Sequence, residues 1–479
     1  MRTFLGLCTL AVVIAGLLSS SFAQPPDTLW SRTFGGAEYD GAMCVRQTWD
    51  GGYIAAGYTQ SFGAGGDAWL IRLNAQGDSV WSRTYGGPLE DVVYSVLQTA
   101  DSGFVLAGYA LFATDSMAGL LIRTNSQGDT LWTRRFVRNS RDRLMSVQPT
   151  QDGGYILAGY SRSLAYPACD GWLIRTNAAG DTLWTRTFGG TGDDHFYEAR
   201  QTLDGGYVAA GYRDSYRCFW LVKTDGNGDS VWSRTFCASS GVAEAHSVQQ
   251  TADSGYILAG CAPIRSTGTF DFWLIRTDAN GDSLWSRAFG GPDDNLAYSV
   301  RSTRDGGFVV AGGTGYYEPS GIRVIKTDAA GDSLWGLAFD DMEGHARCVE
   351  PTADGGYILA GCVAPAGTDR TDFWLARIGP DPSPVEDGFS LHPSSFILSV
   401  FPNPFNPVTE IAYDLAKAGR VSLRVFDLLG REVAVLKDGF AEAGSHHVTF
   451  DGSGLASGIY FARLDAGKFS QTKKLMLLR

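Results

Sequence analysis

The chain has 479 residues, 61 of them glycine, with 12% aromatics and a formal charge of −12. Residues 396–479 hold 10 Lys and Arg against 8 Asp and Glu, so the acidity belongs to the part before them. An acidic main body argues against nucleic acid or an anionic membrane surface as partner.

The N-terminus comes first. Arg2, an apolar run from Phe4 to Leu18 and the small residues Ser21-Phe22-Ala23 read as a signal peptide over residues 1–23, cut before Gln24. The run is short of the ~20 apolar residues a spanning helix needs. No later stretch approaches that length, so no transmembrane segment is expected after cleavage. Seven of the eight cysteines follow residue 23, an odd and dispersed set unlike a small disulfide scaffold.

Repeats fill residues 24–378. The phrase Thr-x-Asp-Gly/Ser-Gly-Tyr/Phe starts at Thr48, Thr99, Thr150, Thr202, Thr251, Thr303 and Thr352. A Trp follows the turn G-D-[ST]-[LV] at Trp81, Trp132, Trp184, Trp232, Trp285 and Trp335. The segment "DTLWSRTFGG", with Trp30, supplies a further copy at the start. A third phrase, x-W-L-I-R or a close variant of it, carries Trp69, Trp172, Trp220, Trp273 and Trp374.

Each unit reads as four short strands, A to D, rich in β-branched and aromatic residues and separated by Gly and Asp turns. Tandem four-stranded units of about 50 residues predict an all-β chain built as a seven-bladed β-propeller. The last repeat supplies strands A, B and C and then stops. The N-terminal fragment is a strand D with nothing before it. Pairing the two completes seven blades and removes an exposed edge. Residues Asp27 to Ile378 resemble the repeats of secreted bacterial seven-bladed propeller proteins, a likeness that implies architecture and leaves activity open.

Two contacts follow from hairpin counting. Arg287 is expected opposite Trp273, and Arg32 opposite Trp374, each a cation over an indole. Cys218 and Cys237 fall within one residue of register, which predicts a local disulfide in an exported protein.

One acid per blade precedes strand A: Asp40, Asp91, Asp142, Asp194, Glu244, Asp294 and Glu343. His195, His246 and His345 share those loops. The set suggests either a divalent cation site or carboxylates that cap their own loops. Aromatics crowd the same side at Tyr39, Phe62, Tyr166, Phe196, Tyr197, Tyr216, Phe270, Tyr316 and Tyr317. They suit stacking on sugars as well as packing between blades. Asp40, Asp91, Asp194, His195, Tyr197, Glu244, His246, Asp294, Tyr316, Glu343 and His345 are the candidate ligand-binding residues. No nucleophile motif, zinc-ligand spacing or phosphate loop occurs, so no catalytic residue and no resident cofactor is assigned.

Residues 379–395, rich in Pro and polar residues, read as a linker. Residues 396–479 show about seven short strands, which predicts a small β-sandwich of immunoglobulin-like type. This segment resembles the C-terminal sorting domain of the bacterial type IX secretion system. The matching residues are Pro402-Asn403-Pro404, Gly430 in "VFDLLGREV", Gly458 and Tyr460 in "LASGIY", and Lys473 and Lys474 in "TKKLMLLR". The resemblance implies Sec export, the type IX machinery as partner, and a protein secreted or held on the outer cell surface. The expected function is a binding or adhesion module for an extracellular glycan or protein. The alternative is a carbohydrate-active enzyme, a lyase or glycosidase, with its site on the loop face.

Overall fold

The computed structural model describes residues 25–382 and 398–478, apart from 114–115, 163–167, 216–217, 239–240, 265–267, 316–319, 366, 369, 402, 404, 416–417, 429, 443 and 467–468. The expected signal peptide, most of the expected linker, Tyr316, Pro402 and Pro404 lie outside the described residues. Among the described residues no helix is long and apolar enough to cross a membrane. The chain divides into two compact units, 1–385 and 386–479.

In the first unit seven sheets of four antiparallel strands follow one another. The blades span residues 40–85, 91–136, 142–188, 195–237, 244–289 and 295–339, and the seventh joins 343–378 to Thr28–Phe34. Each inner strand contacts the next, and that of blade 7 contacts that of blade 1, so the ring closes. In blade 7, Thr28–Phe34 pairs with Asp372–Ile378 as the outermost strand. The seven-bladed propeller with an N-terminal closing strand is as the repeat count predicts.

What makes the repeat phrases is contact between neighbouring blades. The strand D Trp of one blade meets the first aromatic of strand B in the next: Trp30 with Tyr53 at 5.6 Å, Trp232 with Tyr256 at 5.8 Å, Trp335 with Tyr357 at 5.9 Å. The C–D turn glycine of the next blade lies under the same ring. Gly281 holds φ +79, and a Cβ added there would stand 2.7 Å from Trp232. The strand D Arg reaches the Asp of that turn, as Arg234 does to Asp282 at 3.0 Å.

Within each blade the last basic residue of strand C pairs with the Asp of the A–B turn, and it is buried in every blade but the first, where Arg72 is half-buried. Arg175 bonds Asp152, Lys223 lies 2.9 Å from Asp204, and Lys326 lies 2.6 Å from Asp305. The turn Thr bonds the same carboxylate, as Thr150 does to Asp152 at 2.7 Å.

The Arg–Trp expectation needs correction. Arg287 pairs with Leu274, and Arg32 with Leu375. Their guanidiniums lie instead over the Trp of their own strand, 5.6 Å from Trp285 and 5.9 Å from Trp30. Trp374 is fully buried and donates its indole N–H to Ser31 Oγ at 2.9 Å. The cause is a β-bulge near the start of strand D. Thr277 pairs with Ser283 and Arg276 with Trp285, so Leu284 is left over. One extra residue shifts the register by one and turns every later side chain to the other face.

The disulfide is present: Cys218 pairs directly opposite Cys237 with Cα atoms 4.2 Å apart.

The second unit has a three-stranded and a four-stranded sheet around one core of residues such as Ile411, Leu423, Phe450 and Leu475. This is the two-sheet sandwich the strand count predicts.

Candidate functional site at the mouth of the propeller channel

Strand A lines the central channel, and in every blade it carries one bulge. The register skips Met43, Tyr94, Met145, Tyr197, His246, Tyr298 and Arg347, one residue per blade. A bulge re-aims its extra side chain. All seven bulged residues line a single cavity of about 450 Å³ in the channel. Below them runs a tier of small residues at the next position, Cys44, Ser95, Ser146, Ser247, Ser299 and Cys348, with Glu198 as the exception. These stitch neighbouring blades: Val349 N–H donates to Ser299 Oγ at 3.2 Å, and Val300 N–H to Ser247 Oγ at 3.2 Å. Glu198 does the same with its carboxylate, accepting from Ser247 Oγ at 2.7 Å and Val248 N–H at 3.0 Å.

The cavity floor holds five charged side chains, of which Glu198 and Arg301 are buried and Arg46, Arg200 and Glu350 half-buried. Arg200 and Arg301 lie 2.6 and 3.4 Å from Glu198, Arg301 Nε lies 2.6 Å from Glu350, and Arg46 bonds Glu350. Burial works against ionisation of Glu198, yet Arg200, Arg301 and its two donors hold its carboxyl down to about 2. Glu350 is lowered against burial by Arg301 and Arg46. Three guanidiniums against two carboxylates leave this floor net positive.

The mouth is an aromatic and imidazole collar. His195 stacks flat on Tyr160 at 3.6 Å, Tyr197 lies 4.6 Å from His246, His246 lies 5.1 Å from Tyr298, and Tyr298 lies 5.6 Å from His345. Burial keeps these imidazoles neutral, with His195 and His246 down at about 3 and His345 at about 4. Glu244 accepts from the Tyr197 hydroxyl at 3.0 Å and lies 3.6 Å from His246 Nε2. Burial pushes its carboxyl up to about 7, which the tyrosine only partly offsets. Arg347 lies 4.0 Å over the Tyr298 ring. It makes no salt bridge among the described residues, and its Nε is buried without a hydrogen-bond partner there.

The ring of acids does not come together as seven equivalents. Asp40 accepts from Gly36 N–H at 2.9 Å and Ser61 Oγ at 2.7 Å, and Asp91 from Gly87 N–H at 3.1 Å. Asp142 accepts from Arg138 N–H at 2.6 Å, and Asp194 from Gly190 N–H at 2.7 Å and Asp214 N–H at 2.8 Å. These four sit eight residues before the turn Thr and cap their own loops. Asp294 is one residue out of step and accepts from Phe270 N–H at 2.9 Å, while Glu343, equally displaced, is exposed. Glu244 is displaced the other way, into the channel mouth. Of the aromatics, Phe196 is fully buried and Phe62 packs on Trp69 at 5.3 Å, while Tyr197 faces the cavity.

Hairpin counting misses Tyr94, Tyr298 and Arg347. The available signal is positional: five residues before the turn Thr the identity varies freely, between a small residue on one side and uniformly apolar positions nearby.

In the second unit the sorting-motif residues hold the terminal strand. Asn403 Nδ2 donates to Lys474 O at 2.7 Å, and Met476 N–H donates to Asn403 Oδ1 at 2.8 Å. Gly430 takes φ +77 in the turn after the third strand. Tyr460 donates to Ala456 O at 2.8 Å from the core, Gly458 starts its strand opposite Leu477, and Lys473 and Lys474 are exposed on the last strand.

Residues 399–478 match the family of secretion-system C-terminal sorting domains. The chain carries a type IX sorting tail. It is therefore a β-rich protein exported through the type IX machinery, either secreted or attached to the outer cell surface. No curated protein matches the chain. Among solved structures it is similar to PorZ, a surface component of the type IX secretion system of Porphyromonas gingivalis, at 11% identity and TM-score 0.43 over 93% of this chain. The match covers 60% of PorZ. It is also similar to the polysaccharide lyase Uly1, at 10% identity and TM-score 0.46 over 77% of this chain and 94% of that one.

Proposed function

We propose that the propeller, residues 24–378, is a surface binding module whose ligand enters the channel mouth, and that residues 396–479 serve as its sorting tag behind a linker at 379–395. The ligand class is an acidic glycan. The observation that carries this reading is Arg347, a half-buried guanidinium at the mouth whose buried Nε–H is unused and which has no carboxylate in salt-bridge contact among the described residues. A buried donor without a partner costs ~1–3 kcal/mol, which an incoming carboxylate or sulfate recovers. The collar of Tyr197, His246 and Tyr298 offers ring faces for the sugar beside that charge. The net-positive floor adds to the preference for an anion, within a chain that is acidic elsewhere.

The test is retention of neutral, uronate-bearing and sulfated oligosaccharides by the purified chain. Acidic sugars should bind, and Arg347→Ala should weaken them at least tenfold without altering the melting temperature. Equal binding of neutral sugars, or no effect of the substitution, overturns the reading.

A second reading, an enzyme acting on the same class, is favoured by one observation. Glu244 has a carboxyl raised to about 7, beside the Tyr197 hydroxyl and the neutral His246. A carboxyl titrating near neutrality beside such partners is suited to general acid–base work. Release of shorter or unsaturated oligosaccharides, lost in Glu244→Gln, would favour the enzyme; retention without any change of the sugar favours the binding module.

A further inference from the structure

Where blade 3 meets blade 4, three side chains of different chemistry converge. Cys169 opens strand C of blade 3, Asp193 lies in the loop that enters blade 4, and His195 opens strand A of that blade. One ligand atom from each lies within 4.8 Å of the others. Cys169 N–H donates to Asp193 Oδ1 at 2.7 Å, and Asp194 N–H donates to Cys169 O at 2.8 Å. These two bonds clamp the cysteine to the acid's loop. Asp193 O accepts from Ser215 N–H at 2.9 Å, which ties the same loop on its other side. The imidazole plane of His195 is set by Tyr160, 3.6 Å away and only 10° from parallel, and by Tyr212 at 4.6 Å.

The set is not a product of the repeat. At the position of Cys169 the other blades have Gly66, Met117, Arg217, Phe270, Gly321 and Thr371. At the position of His195 they have Gly41, Val92, Arg143, Glu244, Leu296 and His345. Cysteine, acid and histidine coincide at this junction alone.

We propose that Cys169, Asp193 and His195 bind a zinc ion. A thiolate, a carboxylate and an imidazole are the donors Zn²⁺ takes in tetrahedral sites, with ligand distances near 2.0–2.3 Å. Calcium prefers six to eight oxygens, which this set does not offer. The site therefore differs in kind from an oxygen-rich ring centred on Asp194, whose carboxylate is committed to two backbone amides. Cys169 coordinates as the thiolate and releases its proton to solvent. Three protein donors leave the fourth position for water or a ligand atom.

The test uses the purified chain after chelator treatment, with metal uptake followed by competition against a chromophoric chelator. One Zn²⁺ per chain should bind, and a hundredfold excess of Ca²⁺ should not displace it. Co²⁺ should give a thiolate-to-cobalt charge-transfer band. Cys169→Ser should abolish the band and weaken Zn²⁺ at least a hundredfold, and His195→Gln should weaken it similarly. A melting curve for each variant separates lost binding from lost folding. If a folded Cys169→Ser chain binds Zn²⁺ as the parent does, or the folded parent takes up none, the proposal is wrong.

Discussion

Two kinds of carboxyl in this propeller are pushed in opposite directions. The turn aspartates are lowered. At Asp152 the Thr150 hydroxyl is the largest cause, burial opposes it, and Gly154 N–H and Arg175 add to it. At Asp204 burial is the largest influence but is outweighed by Thr202 and Lys223, and the carboxyl falls to about 2. A lowered carboxyl stabilises the fold above its unfolded value, near 4, and that stability is lost as pH falls through the folded value. The melting temperature should therefore drop between about pH 4 and 2. Asp152→Ala should cost about 1 kcal/mol at pH 7, modest because the carboxylate is largely exposed, and much less at pH 2.5. Glu244 is the opposite case. Burial raises it from 4.5 to about 7, so its ionised form disfavours the fold as pH rises through that window. Glu244→Gln should leave the unfolding free energy nearly unchanged at pH 5 and raise it at pH 8, by at most about 3 kcal/mol. A gain at pH 5 as large as at pH 8 would contradict this assignment. The sequence marks these acids as a group, yet only geometry separates the four loop caps from the one carboxyl in the cavity.

At the scale of strands and turns, the glycines allow a controlled comparison. Gly281 and Gly306 both hold positive φ, at +79 and +84. A Cβ at Gly306 meets nothing within 4 Å, whereas one at Gly281 meets Trp232 at 2.7 Å. Gly306→Ala should cost only the backbone strain, about 1 kcal/mol. Gly281→Ala adds displacement of the ring that locks blade 4 to blade 5, and should cost at least about 1 kcal/mol more. Equal losses in denaturant melts would show that the Trp–Gly contact contributes nothing. Strand identity and hairpin turns were readable because Gly, Asp and alternating apolar residues recur at fixed offsets. The two bulges per blade were not. A bulge adds a residue without a distinctive type: Leu284 in strand D and Arg347 in strand A look like ordinary strand residues. The first bulge moved Arg32 off Trp374, and the second hid the ring of mouth residues.

At the scale of the molecule, the closing strand was countable from the sequence, since six complete repeats and two fragments leave only one way to avoid a bare edge. How far the closure extends past strand C was not. Gly379 N–H donates to Asp27 O at 2.9 Å, so the pairing continues beyond Ile378. Asp381 then accepts from the Trp335 indole at 2.9 Å and the Tyr357 hydroxyl at 2.7 Å, tying blade 6 to blade 7 where no C–D turn exists to do so. Three truncations separate these contributions. Deleting residues 24–36 removes the strand that pairs with Asp372–Ile378 and withdraws Trp30 from Tyr53. It should exceed the typical 0.5–3 kcal/mol of a point substitution and produce aggregation or a large fall in melting temperature. Ending the chain after Val385 keeps every one of these bonds and should leave the propeller's melting unchanged. Ending it after Ile378 loses Asp381, and should lower the melting temperature by an intermediate amount that Asp381→Ala in the full chain reproduces. If the cut after Ile378 melts like the cut after Val385, closure ends with the strand itself; if removal of residues 24–36 is harmless, the N-terminal strand does not close the ring.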